Sequence, residues 1–337
     1  MGNAYLYAFF YKKDFMDYTL EQIANRIKSA RQVAIFTHMR PDGDAYGSAL
    51  ALACALEYLG IACEVCVESD TPSNLAFLPA IERVRKTSKQ EFDLLVTVDC
   101  SDEQRLGNLT DAYYLAKRKK IDVINIDHHV SNTRFGKYNF VKSCAANCMH
   151  ISSLISYLGV PFDKKIAEYL LVGLLTDSGN FSHDDVDEAA FLLAAKLVAA
   201  GADICYYNYQ LFKKQPKARA ALYAKTMDKI RYYHDNRFAV IVISKQNMEL
   251  CGADQGMTEG FVDFPLNVDG VEVAASLLEV KKGQYKISLR SKTYADVNRI
   301  AGVYGGGGHV RAAGCMLFGD VEEVLDKLSY TVSQYLE

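Results

Sequence analysis

The sequence predicts an α/β protein of two domains, the first built on a parallel sheet, and three observations support this class. The β-branched apolar run at residues 121–126 ends directly in Asp-His-His at 127–129, which is typical of a buried parallel strand whose carboxyl end opens into a site. Two earlier apolar runs end in the same way, in His38 and in Asp99. Finally, a chain of 337 residues exceeds the length of an average domain.

Composition and charge limit the class of protein. Half of the residues are hydrophobic and 23% are charged, so the chain can build sizeable cores. A net charge of −3 argues against binding of long nucleic acid, which normally needs a basic stripe, but does not exclude a short oligonucleotide in a pocket. Because no run of 18 apolar residues occurs, no membrane span is predicted.

The cysteines predict a reducing, cytoplasmic location. The nine cysteines are odd in number and scattered, which favours reduced thiols. Cys63 and Cys66 have CxxC spacing but lie in a predicted strand, where residues three apart face opposite sides, so a shared metal is not expected. Residues 1–11 lack the basic start and cleavage site of a signal peptide, and the first dozen residues are interpreted as a tail or leader helix.

Apolar periodicity predicts alternating helices and strands before residue 201. The predicted helices are residues 14–28, 45–59, 148–158, 165–175 and 188–200, and the predicted strands are 32–38, 61–67, 92–99 and 121–127.

Candidate functional side chains lie where these elements end. His38 ends a strand, and Asp42 and Asp44 lie in the loop that enters the next helix. Either aspartate alone is explained as a helix N-cap, but a cap does not need a histidine and two aspartates around one turn. Asp177 follows an apolar helix, where a carboxylate is costly to bury unless it is paired or metal-bound.

A change of composition marks the domain boundary. Residues 213–231 are charged and Ala-rich, which is typical of a solvated linker helix. The predicted domains are residues 14–200 and 233–337, joined by a helical linker at 201–232. In the second domain the predicted strands are 237–244, 271–280 and 284–290, and the predicted helix is 296–304.

A glycine-rich motif in the second domain predicts a phosphate or nucleotide site. Four glycines precede His309, and glycine lets backbone N–H groups approach an anion closely. Arg311 lies just beyond, and Arg290 is a candidate for bidentate binding of phosphate. A flexible loop is the alternative interpretation.

The candidate residues of the first domain suit hard divalent cations. They are His38, Asp42, Asp44, Asp99, Asp127, His128, His129 and Asp177. Carboxylates with a few imidazoles and no thiolate favour Mn²⁺ or Mg²⁺ over structural zinc. Their number indicates two ions about 3.5–4 Å apart, an arrangement that favours phosphoester hydrolysis.

The order and spacing of the motifs resemble the DHH phosphoesterase superfamily. The motifs are His38-x₃-Asp42-x-Asp44, Val98-Asp99, Asp127-His128-His129, Thr176-Asp177-Ser178-Gly179 and, as in the DHH-associated C-terminal domain, Gly305-Gly306-Gly307-Gly308-His309 with Ala312-Ala313-Gly314. Ser131-Asn132 and Phe135-Gly136 are similar to those of the bacterial, cytoplasmic nanoRNase/pAp phosphatases. The resemblance implies a parallel-sheet DHH domain with helices on both faces and a smaller α/β substrate-binding domain.

The resemblance also implies roles for single residues. One Mn²⁺ would be held by His38, Asp42 and Asp99, and the other by Asp44, Asp99, His128 and Asp177, with Asp99 as the bridge. Asp127 would orient the neighbouring imidazole, and His129 would act at the scissile phosphate or leaving group. Arg290, Gly306, Gly307, Gly308 and His309 would bind the substrate.

Such an enzyme would cleave RNA of about two to five nucleotides to mononucleotides and remove the 3′-phosphate of pAp, using two divalent cations, Mn²⁺ or else Mg²⁺. A phosphodiesterase acting on cyclic dinucleotides or on pGpG or pApA remains an alternative, as does a catalytically silent nucleotide sensor. Relatives usually have Ser-Thr-x-Glu where Asn147-Cys148-Met149-His150 stands here, which leaves the substrate preference open. A homodimer is also left open.

Overall fold

The computed structural model describes residues 17–88 and 91–336. The chain divides into two compact units, and the boundary between them in the sequence falls between Lys214 and Gln215. This boundary falls inside the predicted linker at 201–232, and the domain limits themselves stay a prediction. The tail or leader helix predicted for the first dozen residues, and residues 14–16 of the first predicted helix, lie outside the described residues.

The first unit alternates helices and parallel strands. Its helices are α1 Leu20–Lys28, α2 Gly43–Tyr58, α3 Thr110–Arg118, α4 Asn147–Leu158, α5 Lys164–Asp177, α6 Glu188–Ala199 and α7 Ile204–Asn208. Its strands are β1 Gln32–Phe36, β2 Ala62–Cys66, β3 Leu94–Val98, β4 Asp122–Asp127 and β5 Tyr138–Val141. Short 3₁₀ turns at Ile81–Arg83 and Glu103–Leu109 and a π turn at Tyr209–Lys213 complete it.

The five strands form one parallel sheet in the order β2-β1-β3-β4-β5. This confirms the predicted parallel α/β class. Strand β5 was not predicted, because four residues carry too little periodicity. Its pairing with β4, in which Ile124 lies opposite Tyr138, decides its conformation.

Alternation along the buried strands places helices on both faces of the sheet, as expected. Val33 and Ile35 of β1 belong to the apolar cluster that contains α2, α4 and α5. Ala34 and Phe36, between and after them, belong to a second cluster with Tyr113 of α3. Because successive side chains of a strand point to opposite faces, one apolar run supplies both cores.

Glycines allow α2 and α5 to cross closely. A Cβ atom on Gly47 would lie 2.5 Å from the Tyr169 carbonyl oxygen and 2.9 Å from the Gly173 nitrogen. A Cβ atom on Gly173 would lie 2.6 Å from Asp44 Oδ1. The close crossing therefore brings the first turn of α2, which carries Asp44, near the last residue of α5, Asp177.

The second unit contains one mixed sheet of six strands. The strands are β6 Arg231–Tyr233, β7 Phe238–Ile243, β8 Val273–Lys281, β9 Gln284–Ser291, β10 Gly307–His309 and β11 Ala312–Phe318. Their order in the sheet is β10-β11-β9-β8-β7-β6, with β7 and β8 parallel and the other neighbouring pairs antiparallel. Its helices are α8 Lys217–Met227, α9 Lys245–Cys251, α10 Asp263–Leu266, α11 Val297–Gly302 and α12 Val321–Ser333, with a 3₁₀ turn at Gln255–Thr258. Helices α11 and α12 cover one face of the sheet around Ile287 and Leu289, and α8 and α9 pack around Ile241 on the other.

All nine cysteines are unpaired. Over residues 17–88 and 91–336, no single helix is long and apolar enough to cross a membrane, while one bent pair, Glu188–Ala199 with Ile204–Lys213, meets the length and composition requirement.

Candidate metal centre

The candidate residues of the first unit converge at one edge of the parallel sheet. His38 follows β1, Asp99 follows β3, and Asp127 is the last residue of β4. Because parallel strands present their carboxyl ends at the same edge, these side chains come together without being close in sequence. The side chains form three groups, and within each group every residue places one ligand atom within 4.8 Å of those of the others. The groups are His38, Asp42 and Asp99; Asp44, His128 and Asp177; and Asp99, Asp127, His128 and His129.

The first group lies around His38. The Nδ1 atom of His38 lies 2.9 Å from the Met39 carbonyl oxygen, to which it donates, so that Nε2 faces the carboxylates. Nε2 lies 3.4 Å from Asp99 Oδ2 and 4.0 Å from Asp42 Oδ2. Asp42 Oδ1 caps α2 by accepting the backbone N–H groups of Asp44 and Ala45, which leaves Oδ2 for the site. Asp42 is therefore both an N-cap and a candidate ligand.

The second group lies around His128. Its Nδ1 donates to the Cys144 carbonyl oxygen at 2.9 Å, which directs Nε2 into the site. Nε2 lies 3.2 Å from Asp177 Oδ2 and 3.4 Å from Asp99 Oδ1. Asp99 thus contacts both imidazoles, one through each oxygen, as a bridging carboxylate would.

Asp44 is fully buried and is held by the helix that follows β5. Its Oδ1 accepts from the Cys148 N–H at 2.9 Å and from the Ser48 hydroxyl at 3.2 Å, and its Oδ2 accepts from the Asn147 N–H. These N–H groups begin α4, whose own N-cap, Ala146, supplies no side-chain acceptor. The positive end of α4 therefore stabilises the Asp44 carboxylate in its position.

A buried amide network holds Asp127 and, through it, His129. Asp127 Oδ1 lies 2.8 Å from His129 Nδ1, and Asp127 Oδ2 accepts from Asn132 Nδ2 at 2.6 Å. Asn132 Nδ2 also contacts Asn125 Oδ1 at 2.9 Å and the Cys100 carbonyl oxygen at 3.0 Å. The His129 side chain is about one-third exposed. Asp127 thus fixes the orientation of the His129 ring through Nδ1, and Nε2 is the ring nitrogen that this contact does not use.

We expect Asn132→Ala to lower kcat about 10- to 100-fold, which is the usual cost of removing a group that orients a metal-site or catalytic side chain. Without the Asn132 amide, Asp127 turns and His129 loses its fixed orientation. We would measure kcat, KM and thermal unfolding on the same preparation of the variant. The matched control is Asn108→Ala, because Asn108 is an exposed asparagine. A variant that loses stability but keeps its kcat would contradict the positioning role.

The electrostatics of the centre call for added positive charge. Burial, with the nearby carboxylates of Asp99 and Asp42, raises the pKa of Asp177 to about 7, although His128 opposes the shift. Burial and the charges of Asp99 and Asp177 also raise the pKa of Asp44. Burial would lower the pKa of His128, but its contact with Asp99 raises it to about 12. Burial likewise opposes ionisation of Asp99, yet the His128 and His38 imidazoles hold its pKa below the ordinary value.

These residues fit a pair of divalent cations. Oδ1 of Asp99 is buried, and although His128 Nε2 lies 3.4 Å away, no described residue donates a well-formed hydrogen bond to it. A buried carboxylate oxygen in this state is costly unless a cation satisfies it. Most of the remaining candidate ligand atoms are carboxylate oxygens, which Mn²⁺ and Mg²⁺ prefer, and the others are imidazole nitrogens.

The predicted substrate-binding residues lie in the second unit. Arg290, on β9, directs Nη1 to the Leu289 carbonyl oxygen at 3.0 Å, and its Nε lies 4.0 Å from Asp263 Oδ1. His309 ends β10 and is exposed. Arg311 is used within the unit, because its guanidinium donates to the carbonyl oxygens of Thr293 and Ala295.

The glycines of the motif have a packing role. A Cβ atom on Gly306 would lie 2.2 Å from the Gly314 carbonyl oxygen, and one on Gly308 would lie 2.4 Å from that of Ala312. The Gly308 N–H donates to Asn298 Oδ1 at 2.8 Å, and that of Gly306 donates to Ala301. Glycine is therefore required for close packing against β11, and a phosphate cradle formed by Gly306, Gly307 and Gly308 stays a prediction.

Sequence reasoning missed the residues that support the ligands. Asn125 stands between two isoleucines of β4, and a polar residue inside an apolar strand is the signal that could have identified it. Asn132 belongs to a segment that carries the family resemblance, but nothing in that segment indicates its contact with Asp127, because asparagine is common in turns. In the 147–150 segment, the Asn147 and Cys148 N–H groups hold Asp44, and the buried His150 contacts the Lys142 carbonyl oxygen.

An open parallel α/β sheet that carries a cluster of aspartates and histidines at its carboxyl edge is compatible with divalent-metal binding of the DHH type. Residues 32–174 match the DHH family, N-terminal domain, and residues 238–337 match the DHHA1 domain. The chain belongs to the DHH family, as its motifs predicted.

Individual relatives match over nearly the full length. The bifunctional oligoribonuclease and PAP phosphatase NrnA of Thermus thermophilus is 31% identical over 308 residues, covering 90% of this chain and 90% of that protein. The probable bifunctional oligoribonuclease and PAP phosphatase NrnA of Streptococcus mutans is 26% identical over 293 residues, which cover 87% of this chain and 91% of that protein. The crystal structure of an exopolyphosphatase-related protein from Bacteroides fragilis shares the fold, with a TM-score of 0.82 at 24% identity over 94% of this chain and 96% of that one.

Proposed function

We propose that this protein is a metal-dependent phosphoesterase that hydrolyses very short RNA to mononucleotides and dephosphorylates pAp to AMP. The observation that carries the proposal is the pair of ligand groups joined by Asp99: His38, Asp42 and Asp99 on one side, and Asp44, His128 and Asp177 on the other. The similarity to the Thermus thermophilus enzyme, over 90% of both chains, supports the substrate class.

The side chains divide the work of such a reaction. The two groups would hold two divalent cations, most suitably Mn²⁺. Bound there, the cations would supply a lowered pKa for a water molecule and neutralisation of the charge that develops on the phosphate. His38 and His128 present Nε2 to the site because their Nδ1 atoms are occupied by the Met39 and Cys144 carbonyl oxygens. His129, oriented by Asp127, is placed to donate to the phosphate or the leaving oxygen.

The second unit would supply substrate binding. The Arg290 guanidinium is partly exposed and has Asp263 as its nearby acid, at 4.0 Å, so a phosphate can replace this weak contact. The exposed imidazole of His309 adds a second donor. We also propose a cytoplasmic location, in agreement with nine unpaired cysteines, and a homodimer stays a prediction.

Turnover on a matched panel tests this function. The panel contains pAp, 5′-phosphorylated RNA of increasing length, pGpG, pApA, a cyclic dinucleotide and pyrophosphate, each with Mn²⁺, with Mg²⁺ and with chelator. Mononucleotide release that is fastest from the shortest RNA, together with pAp cleavage, would support the proposal. Preference for pGpG, pApA or a cyclic dinucleotide would replace it with second-messenger turnover, and metal binding without any turnover would favour a nucleotide sensor.

We expect Arg290→Ala to raise KM for short RNA about 10- to 100-fold with a smaller change in kcat, because a charged hydrogen bond to phosphate is worth about 1.5–3 kcal/mol. Steady-state kinetics on a 5′-phosphorylated dinucleotide measure this effect. The matched control is Lys327→Ala, which removes an exposed cation from α12. An unchanged KM in Arg290→Ala would contradict the phosphate-binding role.

A further inference from the structure

The second unit contains a cavity that the proposed chemistry does not use. Its volume is about 510 Å³, within the range of small-molecule sites. It lies between α8 and α10, and the side chains that define it are Gln215, Arg219, Tyr223, Asp263, Phe264 and Asn267.

The cavity presents flat groups on which an aromatic ring can stack. Arg219 lines the cavity, and its guanidinium lies over the buried Phe261 ring, 4.8 Å from the ring centroid. The Tyr223 ring packs edge-on against Phe261 and Phe264, at 5.0 Å and 5.8 Å between centroids. Phe264 is 47% exposed despite being a large apolar side chain. Guanidinium planes and aromatic rings are the usual stacking partners of unpaired nucleobases.

Hydrogen-bonding groups are available beside these flat surfaces. The exposed amides of Gln215 and Asn267 find no side-chain hydrogen-bond partner among residues 17–88 and 91–336. Amides carry both donors and acceptors, as the edge of a nucleobase does. An aliphatic or lipid ligand would leave them unpaired, so the lining favours a heteroaromatic ring.

The cavity adjoins the proposed phosphate-binding residue. Asp263 lines the cavity, and its Oδ1 lies 4.0 Å from Arg290 Nε. Asp263 therefore belongs both to the cavity lining, with Phe264 and Tyr223, and to the surroundings of Arg290. A nucleotide suits such neighbouring groups, with a ring one sugar away from its phosphate.

We propose that this cavity is the nucleobase subsite for the nucleotide whose phosphate Arg290 binds, an assignment that rests on the proposed function. Stacking on Phe264 and the Arg219 plane tolerates any base, whereas the Gln215 and Asn267 amides bias the choice among bases. The subsite makes the second unit recognise a nucleoside as well as a phosphate.

The test compares a 5′-phosphorylated ribodinucleotide with the same compound lacking the base at its 5′ residue. Phe264→Ala is expected to lower kcat/KM for the complete dinucleotide about tenfold, because base–aromatic stacking contributes about that factor. The advantage of the complete dinucleotide, which is the ratio of its kcat/KM to that of the abasic compound, should therefore become smaller. Phe264→Tyr should restore the advantage. Tyr330→Ala, which removes a 72% exposed ring from α12, is the matched control and should keep it.

A binding measurement separates this inference from the proposed function. In metal-free protein, the fluorescence of 2-aminopurine riboside 5′-monophosphate should be quenched on binding to the wild type and much less in Phe264→Ala. Equal quenching in the two proteins, or an equal loss of kcat/KM for the complete and abasic compounds, would overturn the base subsite. If the wild type fails to cleave RNA but hydrolyses bis(p-nitrophenyl) phosphate, the proposed function fails while the quenching result still decides the subsite.

Discussion

Replacing Asp99 by asparagine is expected to lower turnover about a thousandfold or more, equivalent to about 4 kcal/mol of transition-state stabilisation. Asp99 contacts both His38 and His128, so its loss removes the carboxylate shared by the two ligand groups. The fold should survive, because Asp99 has a φ of 53° and asparagine tolerates this left-handed conformation. Asp99→Ala should be equally inactive. It should also be less stable than Asp99→Asn, because alanine does not tolerate the left-handed conformation as asparagine does.

Metal-dependent stability provides the second measurement for this residue. A cation that binds only the folded protein at about 100 times its Kd stabilises it by about 2.7 kcal/mol, and Asp99→Asn should lose most of the resulting rise in Tm on adding Mn²⁺. Asp326→Asn, an exposed aspartate on α12, is the control. Wild-type turnover in Asp99→Asn would refute the shared-ligand arrangement.

Gly47→Ala is expected to destabilise the first unit by about 3 kcal/mol, equivalent to a fall in Tm of about 10 °C. The added Cβ would lie 2.5 Å from the Tyr169 carbonyl oxygen, and a backbone atom in a helix cannot move aside as a side chain does. Helices α2 and α5 must therefore separate, which also moves Asp44 away from Asp177. Thermal unfolding and Mn²⁺ affinity measure the two consequences.

Gly302→Ala is the matched control, because a Cβ atom at Gly302 meets no described atom within 4 Å. Its stability should change by less than about 0.5 kcal/mol. If Gly47→Ala unfolds at the wild-type temperature, the close crossing of α2 and α5 does not constrain the fold as argued.

The elements that the sequence predicted best are those whose apolar pattern is long or ends in an unusual residue. The strand predicted at 92–99 is β3 at Leu94–Val98, and the helix predicted at 165–175 is α5 at Lys164–Asp177. Strand β5 and helix α3 were missed because a short strand and a mostly solvated helix leave little apolar periodicity. Their conformation is decided by the neighbours against which they pack.

The sequence by itself determined the class of fold, the family and the candidate ligands. The order and spacing of the motifs indicate the family. The ligands follow because strand ends that carry His38, Asp99 and Asp127 must meet at one edge of a parallel sheet. Only the tertiary structure decided which atoms meet. It showed that Asp44 is held by the N-terminus of α4, that Asn132 fixes Asp127, and that the Gly-rich motif packs against β11. These contacts join residues distant in sequence or depend on backbone approach within a few ångströms, and neither property is encoded in a local pattern of residue types.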